Sequence, residues 1–347
     1  MAFGTNDKLN FCLMTTANYI TKALVMYDSL VKECKNDFNF FYYTFDELTY
    51  DYLKKLNYKN IIPIPLHDLE NFYPELVKTK ETRSIAEYFF TCTPHIIDYV
   101  LKNYDIDHVT YIDADLFFYN DPIEILKEVM NNSVLITEHR YFPDNNDSVS
   151  GKYCVQFIPV MNDKSGNKVI DWYKEKCIEW CYLKAEDGKW ADQGYLNHWP
   201  EIFDNIVVME NRGGGVARWN SDAYNFVKES DNLKAFNSEI NKDVEIIFYH
   251  FEGLKLYSNK VMTVGLLKNE ESLFKSIYYD YINKLSDKEN ELIDKLEISR
   301  KKFNYQKYQY SFFRLFLSTV RRFFLPKKNK NDMIHYYKYL KNYKWLP

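Results

Sequence analysis

Two aspartates that directly follow a short apolar run could hold a divalent cation. Residues 109–112 are mostly apolar, and they are followed by Asp113, Ala114 and Asp115. Ligands of open α/β sheets collect at the carboxyl ends of strands, so two carboxylates at such an end can share one cation. A hard divalent ion held by few carboxylates keeps coordination positions for diphosphate oxygens. The pattern therefore predicts a metal site for a substrate that carries a diphosphate.

Position separates this pair from Asp105 and Asp107, which have the same spacing. Those two residues precede the predicted strand, where acidic side chains are typical of a solvated turn. We therefore interpret Asp105 and Asp107 as surface residues and treat Asp113 and Asp115 as candidate metal ligands.

A histidine could complete the metal site. His250 ends the apolar run 246–249 and is followed by Glu252, Gly253 and Lys255. A histidine at the end of an apolar run can be a core residue, but the residues that follow favour an active-site loop. Neutral imidazole beside two carboxylates suits Mn²⁺ better than Mg²⁺, because nitrogen donors favour the later metals. A lysine nearby can neutralise a leaving diphosphate.

Elements that alternate between strand and helix must position these residues. The predicted strands cover 11–15, 38–43, 61–64 and 109–112, and the predicted helices cover 20–31, 46–56, 85–102 and 121–130. The third helix must bend or break at Pro94. Further strands are expected at 134–138, 155–161, 206–209 and 245–249, and a helix from about 267. This alternation indicates an α/β fold with a mixed, mostly parallel sheet between helices.

Charge is distributed unevenly along the chain. Its 347 residues carry a net charge of −4, but residues 300–347 contain thirteen lysines and arginines and one acid. The tail is therefore about +12 and the rest about −16. From Ser311 the tail interleaves phenylalanines and leucines with cations, which is typical of a helix at an anionic membrane surface. A helix packed on the body of the protein is the alternative.

Composition also indicates which partners and which cellular compartment to expect. The acidic body argues against nucleic-acid binding. The sequence shows neither a signal-peptide pattern nor an apolar run of about 20 residues, so we expect a cytoplasmic protein that the tail could hold at the inner face of the plasma membrane. The six cysteines lack metal-binding spacing, so structural zinc is not expected.

Five segments, in this order along the chain, resemble motifs of GT-A-fold glycosyltransferases, most closely those of glycosyltransferase family eight. Thr16 stands where the family usually has an acidic residue, and the last segment is one residue shorter than usual. Together the segments cover roughly residues 11–255. They are Thr16 to Tyr19, Arg83 with Ser84, the DxD segment Tyr111 to Leu116 with Asp121 to Ile123, Asp192 to Asn197, and His250 to Gly253 with Lys255.

The resemblance implies a role for each segment. Asp192 and Gln193 would lie near the transferred sugar. Judged by their chemistry alone, Asp192 and Glu138 could each serve as base or stabilising carboxylate. Transfer with retention at the anomeric carbon is implied, although the sequence leaves the stereochemistry open. The metal ion would be bound by Asp113, Asp115 and His250. A UDP-sugar donor would be contacted by Thr16, Asn18, Tyr19, Arg83, Ser84, Asp113, Ala114, Asp115, Gly253 and Lys255.

Three consecutive glycines at 213–215 precede Trp219. Such a segment lets the backbone approach a ligand closely or adopt positive φ, or it forms a flexible surface turn. Its spacing does not match a dinucleotide-binding fingerprint. Trp219 is either a platform for a sugar or a core residue, whereas Trp180, Trp190 and Trp199 are expected in the core.

We therefore expect a catalytic domain over 1–265 and a helical, basic and aromatic extension over 266–347. The domain would use Mn²⁺, or Mg²⁺, to move a sugar from a UDP-sugar to a glycan or lipid-linked acceptor in the synthesis of cell-surface polysaccharide such as lipopolysaccharide or capsule. A nucleotidyltransferase that makes sugar nucleotides is one alternative, but residues 15–19 lack its glycine-rich, basic loop. A catalytically inactive sugar-binding or membrane scaffold protein is another, and the presence of all three candidate ligands argues against it.

Overall fold

The computed structural model of the protein describes residues 7–129, 131–143, 150–229, 232–257, 261–263, 272–303, 305–306 and 336–338. The described helices are α1 (Ile20–Glu33), α2 (Glu47–Leu56), α3 (Leu66–Phe72), α4 (Pro74–Thr79), α5 (Ile85–Asn103), α6 (Ile123–Leu126), α7 (Lys164–Glu179), α8 (Trp199–Ile202) and α9 (Ser272–Leu296). The described strands are β1 (Leu9–Thr15), β2 (Phe38–Thr44), β3 (Ile61–Pro65), β4 (His108–Ile112), β5 (Leu116–Phe118), β6 (Val134–Glu138), β7 (Tyr153–Cys154), β8 (Phe157–Met161), β9 (Ile206–Val208), β10 (Val216–Ala217), β11 (Tyr224–Glu229), β12 (Asn232–Asn237), β13 (Lys242–Glu245), β14 (Phe248–His250), β15 (Lys255–Leu256), β16 (Val261–Thr263) and β17 (Tyr336–Lys338).

The main sheet has the strand order β3-β2-β1-β4-β8-β6-β7, and β9 pairs with β6. β1 is parallel to β2 and β4, and β2 is parallel to β3. β8 is antiparallel to both β4 and β6. The sheet confirms the predicted α/β class with mixed, mostly parallel strands, and its parallel half ends at β4, the strand that leads to Asp113.

Helices cover both faces of this sheet. Side chains alternate between the two faces along each strand, so neighbouring residues of one strand belong to different cores. On β1, Phe11 and Leu13 belong to a core that contains residues of α1, α2 and α9. Cys12, between them, belongs to a second core with residues of α3, α4, α5 and α7. Strands buried on both faces have continuous apolar sequences, which explains why the parallel strands were recognisable as apolar runs.

Three predicted elements differ in detail from the structure. α5 continues through Pro94 as one helix, so no break occurs there. The helix predicted from Asp121 is the single turn α6, followed by a tighter turn at Lys127–Val129. The strand predicted at 245–249 divides into β13 and β14, since the Ile246 N–H still donates to Leu233 of β12 but the Ile247 N–H donates to the Gly213 carbonyl oxygen.

α9 lies beyond the predicted domain boundary at residue 265 and packs on the body of the protein. Its Lys288 forms an ion pair with Asp28 of α1 at 2.7 Å. Its Leu292 and Leu296 share a core with α1 and α2. The boundary stays a prediction, and nearly all of the basic tail from Ser311 lies outside the described residues. Within the described ranges, no helix combines the length and apolar character needed to cross a membrane.

Candidate active site

A small sheet brings the candidate metal ligands together. β14 is antiparallel to β5 and parallel to β10, and His250 lies opposite Leu116. Leu116 directly follows the turn that contains Asp113 and Asp115. The Phe251 N–H donates a hydrogen bond to the Asp115 carbonyl oxygen at 2.9 Å. The register of this sheet therefore sets the distance between the histidine and the two aspartates.

The three side chains form a cluster of potential metal ligands. The Nε2 of His250 lies 3.1 Å from Oδ1 of Asp115 and 3.7 Å from Oδ2 of Asp113. One ligand atom from each side chain lies within 4.8 Å of the others. Two metal–ligand bonds of about 2.1 Å span up to about 4.2 Å, which covers the separations of 3.1 and 3.7 Å. Two carboxylates and an imidazole fit Mn²⁺ or Mg²⁺, and three protein ligands leave positions for a substrate.

Gln156, between β7 and β8, orients His250 from the side opposite the aspartates. Its side-chain Oε1 lies 2.8 Å from His250 Nδ1, and its backbone oxygen accepts a hydrogen bond from the Asp113 N–H at 3.0 Å. Because an amide oxygen only accepts, Nδ1 carries a proton and Nε2 is the nitrogen directed at the aspartates. Partners of this kind fix the tautomer of metal-binding histidines. A lone glutamine beside a strand has no distinctive spacing, so sequence reasoning missed it.

The two aspartates differ in their electrostatic surroundings. Burial raises the pKa of Asp113 to about 6, with His250 opposing this effect and Asp115 adding to it. Although burial opposes the shift, Lys22 and His250 hold the pKa of Asp115 well below its ordinary value. The pKa of His250 is raised well above its ordinary value despite burial, because Asp115 favours the imidazolium. A cation bound here would replace the proton on Nε2.

Lys22 is a buried cation behind Asp115. It lies on α1 and is 3% exposed. Its Nζ is 3.3 Å from Oδ2 of Asp115, donates to the Leu254 carbonyl oxygen, and lies 4.7 Å from the centroid of the Tyr19 ring. This lysine therefore links the turn after β1, the aspartate turn and the loop after His250. Sequence reasoning missed Lys22 because a lysine on a helix is usually solvated.

A cavity opens beside the three candidate ligands, which lie in its wall. The turn between β1 and α1 forms part of the wall, and its Ala17 N–H is held by Asp46 Oδ2 at 2.9 Å. Asp46 also lines the cavity, although sequence reasoning assigned it only to the start of α2. The structure thus groups with the candidate ligands five other predicted site residues, namely Thr16, Asn18, Tyr19, Ala114 and Gln193.

The wall also contains residues that sequence reasoning left unassigned or open. Arg218 donates from Nε to Oε2 of Glu252 at 2.6 Å, and both residues line the cavity. Trp219 lines it as well, and its ring meets the His250 ring edge to face with centroids 5.5 Å apart. Phe89 of α5 is a further lining residue that the sequence analysis did not single out.

Arg83 and Ser84 lie outside the cavity wall. The guanidinium of Arg83 donates to Thr91 Oγ1 at 2.5 Å and to the Ile178 carbonyl oxygen at 2.6 Å. Ser84 caps α5 through reciprocal hydrogen bonds with Glu87. Both residues therefore stabilise the start of α5, and their contact with a donor stays a prediction.

Four further predicted residues also lie outside the wall. Lys255 is exposed at the start of β15, and Gly253 has a φ of +79°, which favours glycine. Glu138 pairs with Lys152 at 3.1 Å. Asp192 is 3% exposed, and burial raises its pKa to about 7. Their roles in donor binding and catalysis stay predictions.

The glycines at 213–215 are buried inside the protein. A Cβ atom on Gly213 would lie 1.9 Å from the Glu245 carbonyl oxygen, and one on Gly214 would lie 2.5 Å from Met209 Sδ. Close packing against the protein itself therefore requires glycine here. Gly215 has a φ of +69°, which confirms the expected positive φ, whereas the burial of the segment shows that a flexible surface turn is wrong. A contact of this backbone with a ligand stays a prediction.

The three tryptophans that were expected in the core differ in how deeply they are buried. Trp199 is fully buried, which confirms its expected place in the core. Trp180 and Trp190 are half-buried, so the same expectation is wrong for them. Neither of the two lines the cavity.

Comparison of sequences identifies relatives that extend over most of this chain. No family model matches it. Uncharacterized protein YfnF of Bacillus subtilis (strain 168) is 31% identical over 257 residues, which are 72% of this chain and 82% of that protein. Uncharacterized protein YfnD of the same organism is 28% identical over 280 residues, which are 79% of this chain and 87% of that protein.

Comparison of structures identifies glycosyltransferases. Galactosyltransferase LgtC in complex with donor and acceptor sugar analogs aligns with a TM-score of 0.53 at 12% identity, over 80% of this chain and 96% of that chain. An active-site mutant of LgtC aligns with a TM-score of 0.50 at 13% identity, over 71% and 88% of the two chains. At such identity the likeness shows the fold, and it confirms the expected GT-A architecture. The chain belongs to the family of YfnF and has the GT-A fold of glycosyltransferases.

Proposed function

We propose that the protein is a metal-dependent glycosyltransferase that moves a sugar from a UDP-sugar to a glycan or lipid-linked acceptor. The observation that carries this proposal is the cluster of Asp113, Asp115 and His250 in the wall of a cavity within this fold. A metal ion held there, with Mn²⁺ favoured over Mg²⁺ by the imidazole, would neutralise charge on a leaving diphosphate. The LgtC structure with donor and acceptor sugar analogs supports the same substrate classes.

Neighbouring residues prepare the site for an anionic substrate. Gln156 holds His250 with Nε2 toward the aspartates, and Lys22 keeps Asp115 ionised. Asp115 is thereby available as a charged ligand without a proton to displace. Because these groups are buried, their charges act more strongly than they would in water.

The same proposal has three finer parts. The donor nucleoside is uridine, the closest group is family eight, and transfer proceeds with retention at the anomeric carbon. Their support is the ordered set of resembling segments, together with the place of Asn18 and Tyr19 in the cavity wall. A ligand that binds only the folded state stabilises it by mass action. UDP with Mn²⁺ should therefore raise the melting temperature more than GDP or CMP at equal concentration, and stronger protection by GDP would contradict the uridine assignment.

The tail supports a role at the inner face of the plasma membrane, where lipid-linked acceptors for cell-surface polysaccharide would be available. Each cation near an anionic surface contributes roughly 1 kcal/mol to binding. Full-length protein should co-sediment with vesicles that contain phosphatidylserine. A variant with Arg314, Arg321 and Arg322 changed to Glu should be recovered less, and equal recovery would indicate a packed structural helix instead.

The direct test is release of UDP from a panel of UDP-sugars by the full-length protein with Mn²⁺. We expect turnover with at least one donor and its loss in the Asp115→Asn variant. Asp105→Asn is the matched control, because Asp105 is exposed and has the same spacing to a second aspartate. Undiminished turnover in excess EDTA would contradict the metal-dependent mechanism.

A further inference from the structure

We propose that Arg218, held in place by Glu252, is the side chain that binds the diphosphate of the donor, a role that sequence resemblance assigns to Lys255. This inference rests on the proposed function and names a residue for it. Arg218 and Glu252 line the same cavity as Asp113 and Asp115.

The sheet that carries His250 also places Arg218. β10 is parallel to β14, and Ala217 is the register partner of His250. Arg218 directly follows Ala217, and Glu252 lies two residues after His250. Both members of the pair are therefore fixed by the same strand register that positions the metal ligand.

The chemistry of the pair suits a phosphate. Glu252 accepts the Nε hydrogen bond of Arg218 at 2.6 Å. Among the described residues, the structure shows no partner for the two terminal amino groups of Arg218, whose side chain is 29% exposed. Those groups are the donors with which arginine binds two phosphate oxygens at once. Glu252 thus restricts the guanidinium to one orientation and leaves its phosphate-binding edge available.

The other candidate cations are placed less well. Lys255 is exposed on β15 and lies outside the cavity wall. Lys22 is buried behind Asp115, and its ammonium group is occupied by Asp115 and the Leu254 carbonyl oxygen. In the part of the chain that the structure describes, Arg218 is the one lysine or arginine that lines this cavity.

The test compares UDP with uridine, which lacks phosphates, on full-length protein with Mn²⁺. UDP affinity is measured by calorimetry and uridine binding by saturation-transfer NMR. We expect Arg218→Gln to weaken UDP binding at least about tenfold, as loss of a charge-assisted pair implies, and to leave uridine binding unchanged. Arg218→Lys should recover part of the loss, and Glu252→Gln and Lys255→Gln should each show a smaller loss than Arg218→Gln.

The outcomes separate this inference from the proposed function. Wild-type UDP affinity in Arg218→Gln, or an equal loss in Lys255→Gln, would overturn the role of Arg218 alone. A parallel loss of uridine binding would show that Arg218 supports the fold of the site and would overturn a phosphate contact. Failure of the wild type to bind UDP would overturn the proposed function together with this inference.

Discussion

Two acidic sites in this protein differ in what balances their charge. At the contact of α5 with α7, Asp98 is 1% exposed and binds Lys174, Lys102 at 2.9 Å and the Tyr73 hydroxyl at 2.6 Å. Although burial opposes the shift, these partners lower the pKa of Asp98. Its charge is therefore compensated by the protein itself.

At the cavity wall, the carboxylates have fewer lysine partners than Asp98 has. Among the described residues, Lys22 is the one lysine or arginine in contact with the carboxylates of Asp113 and Asp115, and a metal ion bound there would displace the proton of the His250 imidazolium. Lys22 contacts Asp115, and burial raises the pKa of Asp113 to about 6. The comparison teaches that a carboxylate whose charge is balanced by lysines of the protein stabilises the fold, whereas a carboxylate beside a cavity with fewer such partners is suited to an external cation.

The largest effect should follow from Asp113→Asn, which removes one carboxylate of the cavity wall. We expect turnover to fall about 10³-fold, since the metal site contributes several kcal/mol to catalysis. The free energy of unfolding should stay within about 1 kcal/mol of wild type or increase, because a buried charge is lost. UDP release and urea denaturation measure the two quantities, and full turnover in this variant would break the comparison.

Asp98→Asn should have the reverse profile. It removes the carboxylate that Lys174, Lys102 and Tyr73 share and leaves Lys174 with only the largely exposed Asp171, so we expect the free energy of unfolding to fall by about 3 kcal/mol. Turnover per folded molecule should remain within about twofold of wild type, because Asp98 lies outside the cavity wall. Loss of turnover at unchanged stability would contradict the structural role of Asp98.

Measurements at low pH give a further test of the role of Asp98. The pKa of Asp98 is lower in the folded than in the unfolded protein, so its stabilisation is complete above the unfolded pKa of about 3.9 and is lost as pH falls through the folded pKa. The stability difference between wild type and Asp98→Asn should therefore shrink below about pH 4. Urea unfolding at a series of pH values measures it, and a difference that grows in acid would refute this pairing.

A smaller effect should come from Gln156→Leu, which removes the partner of His250 Nδ1. We expect Mn²⁺ affinity to fall about 10- to 100-fold, because the tautomer of the histidine is no longer fixed. Calorimetric Mn²⁺ titration measures this change. Gln193→Leu is the control, since Gln193 lines the cavity but accepts a hydrogen bond from the Val155 N–H and donates one to the Ser150 carbonyl oxygen. Equal losses in both variants would argue against a specific role for Gln156.

The sequence predicted what regular periodicity controls. The parallel strands and the turn with Asp113 and Asp115 were recognisable because buried strands are apolar runs and the carboxylates follow one of them. His250 was recognisable from the residues after it. The short strands that join it to the aspartate turn were not, because three-residue strands such as β5 have no detectable period.

The remaining site residues depend on contacts between distant segments. Lys22 and Asp115 are 93 positions apart, and Arg218 and Glu252 are 34 apart. Spacing along the chain cannot reveal such pairs. The same holds for Gly213, where glycine is required because the carbonyl oxygen of Glu245 in β13 lies close to it.

Direct Mn²⁺ binding tests the central claim most simply. Electron paramagnetic resonance of free Mn²⁺ during titration of the full-length protein reports bound metal without any substrate. We expect one Mn²⁺ per wild-type chain, the same binding in the exposed-site control Asp105→Asn, and loss of binding in Asp115→Asn. Absence of Mn²⁺ binding by wild type, or equal binding by Asp115→Asn, would contradict a metal site formed by Asp113, Asp115 and His250.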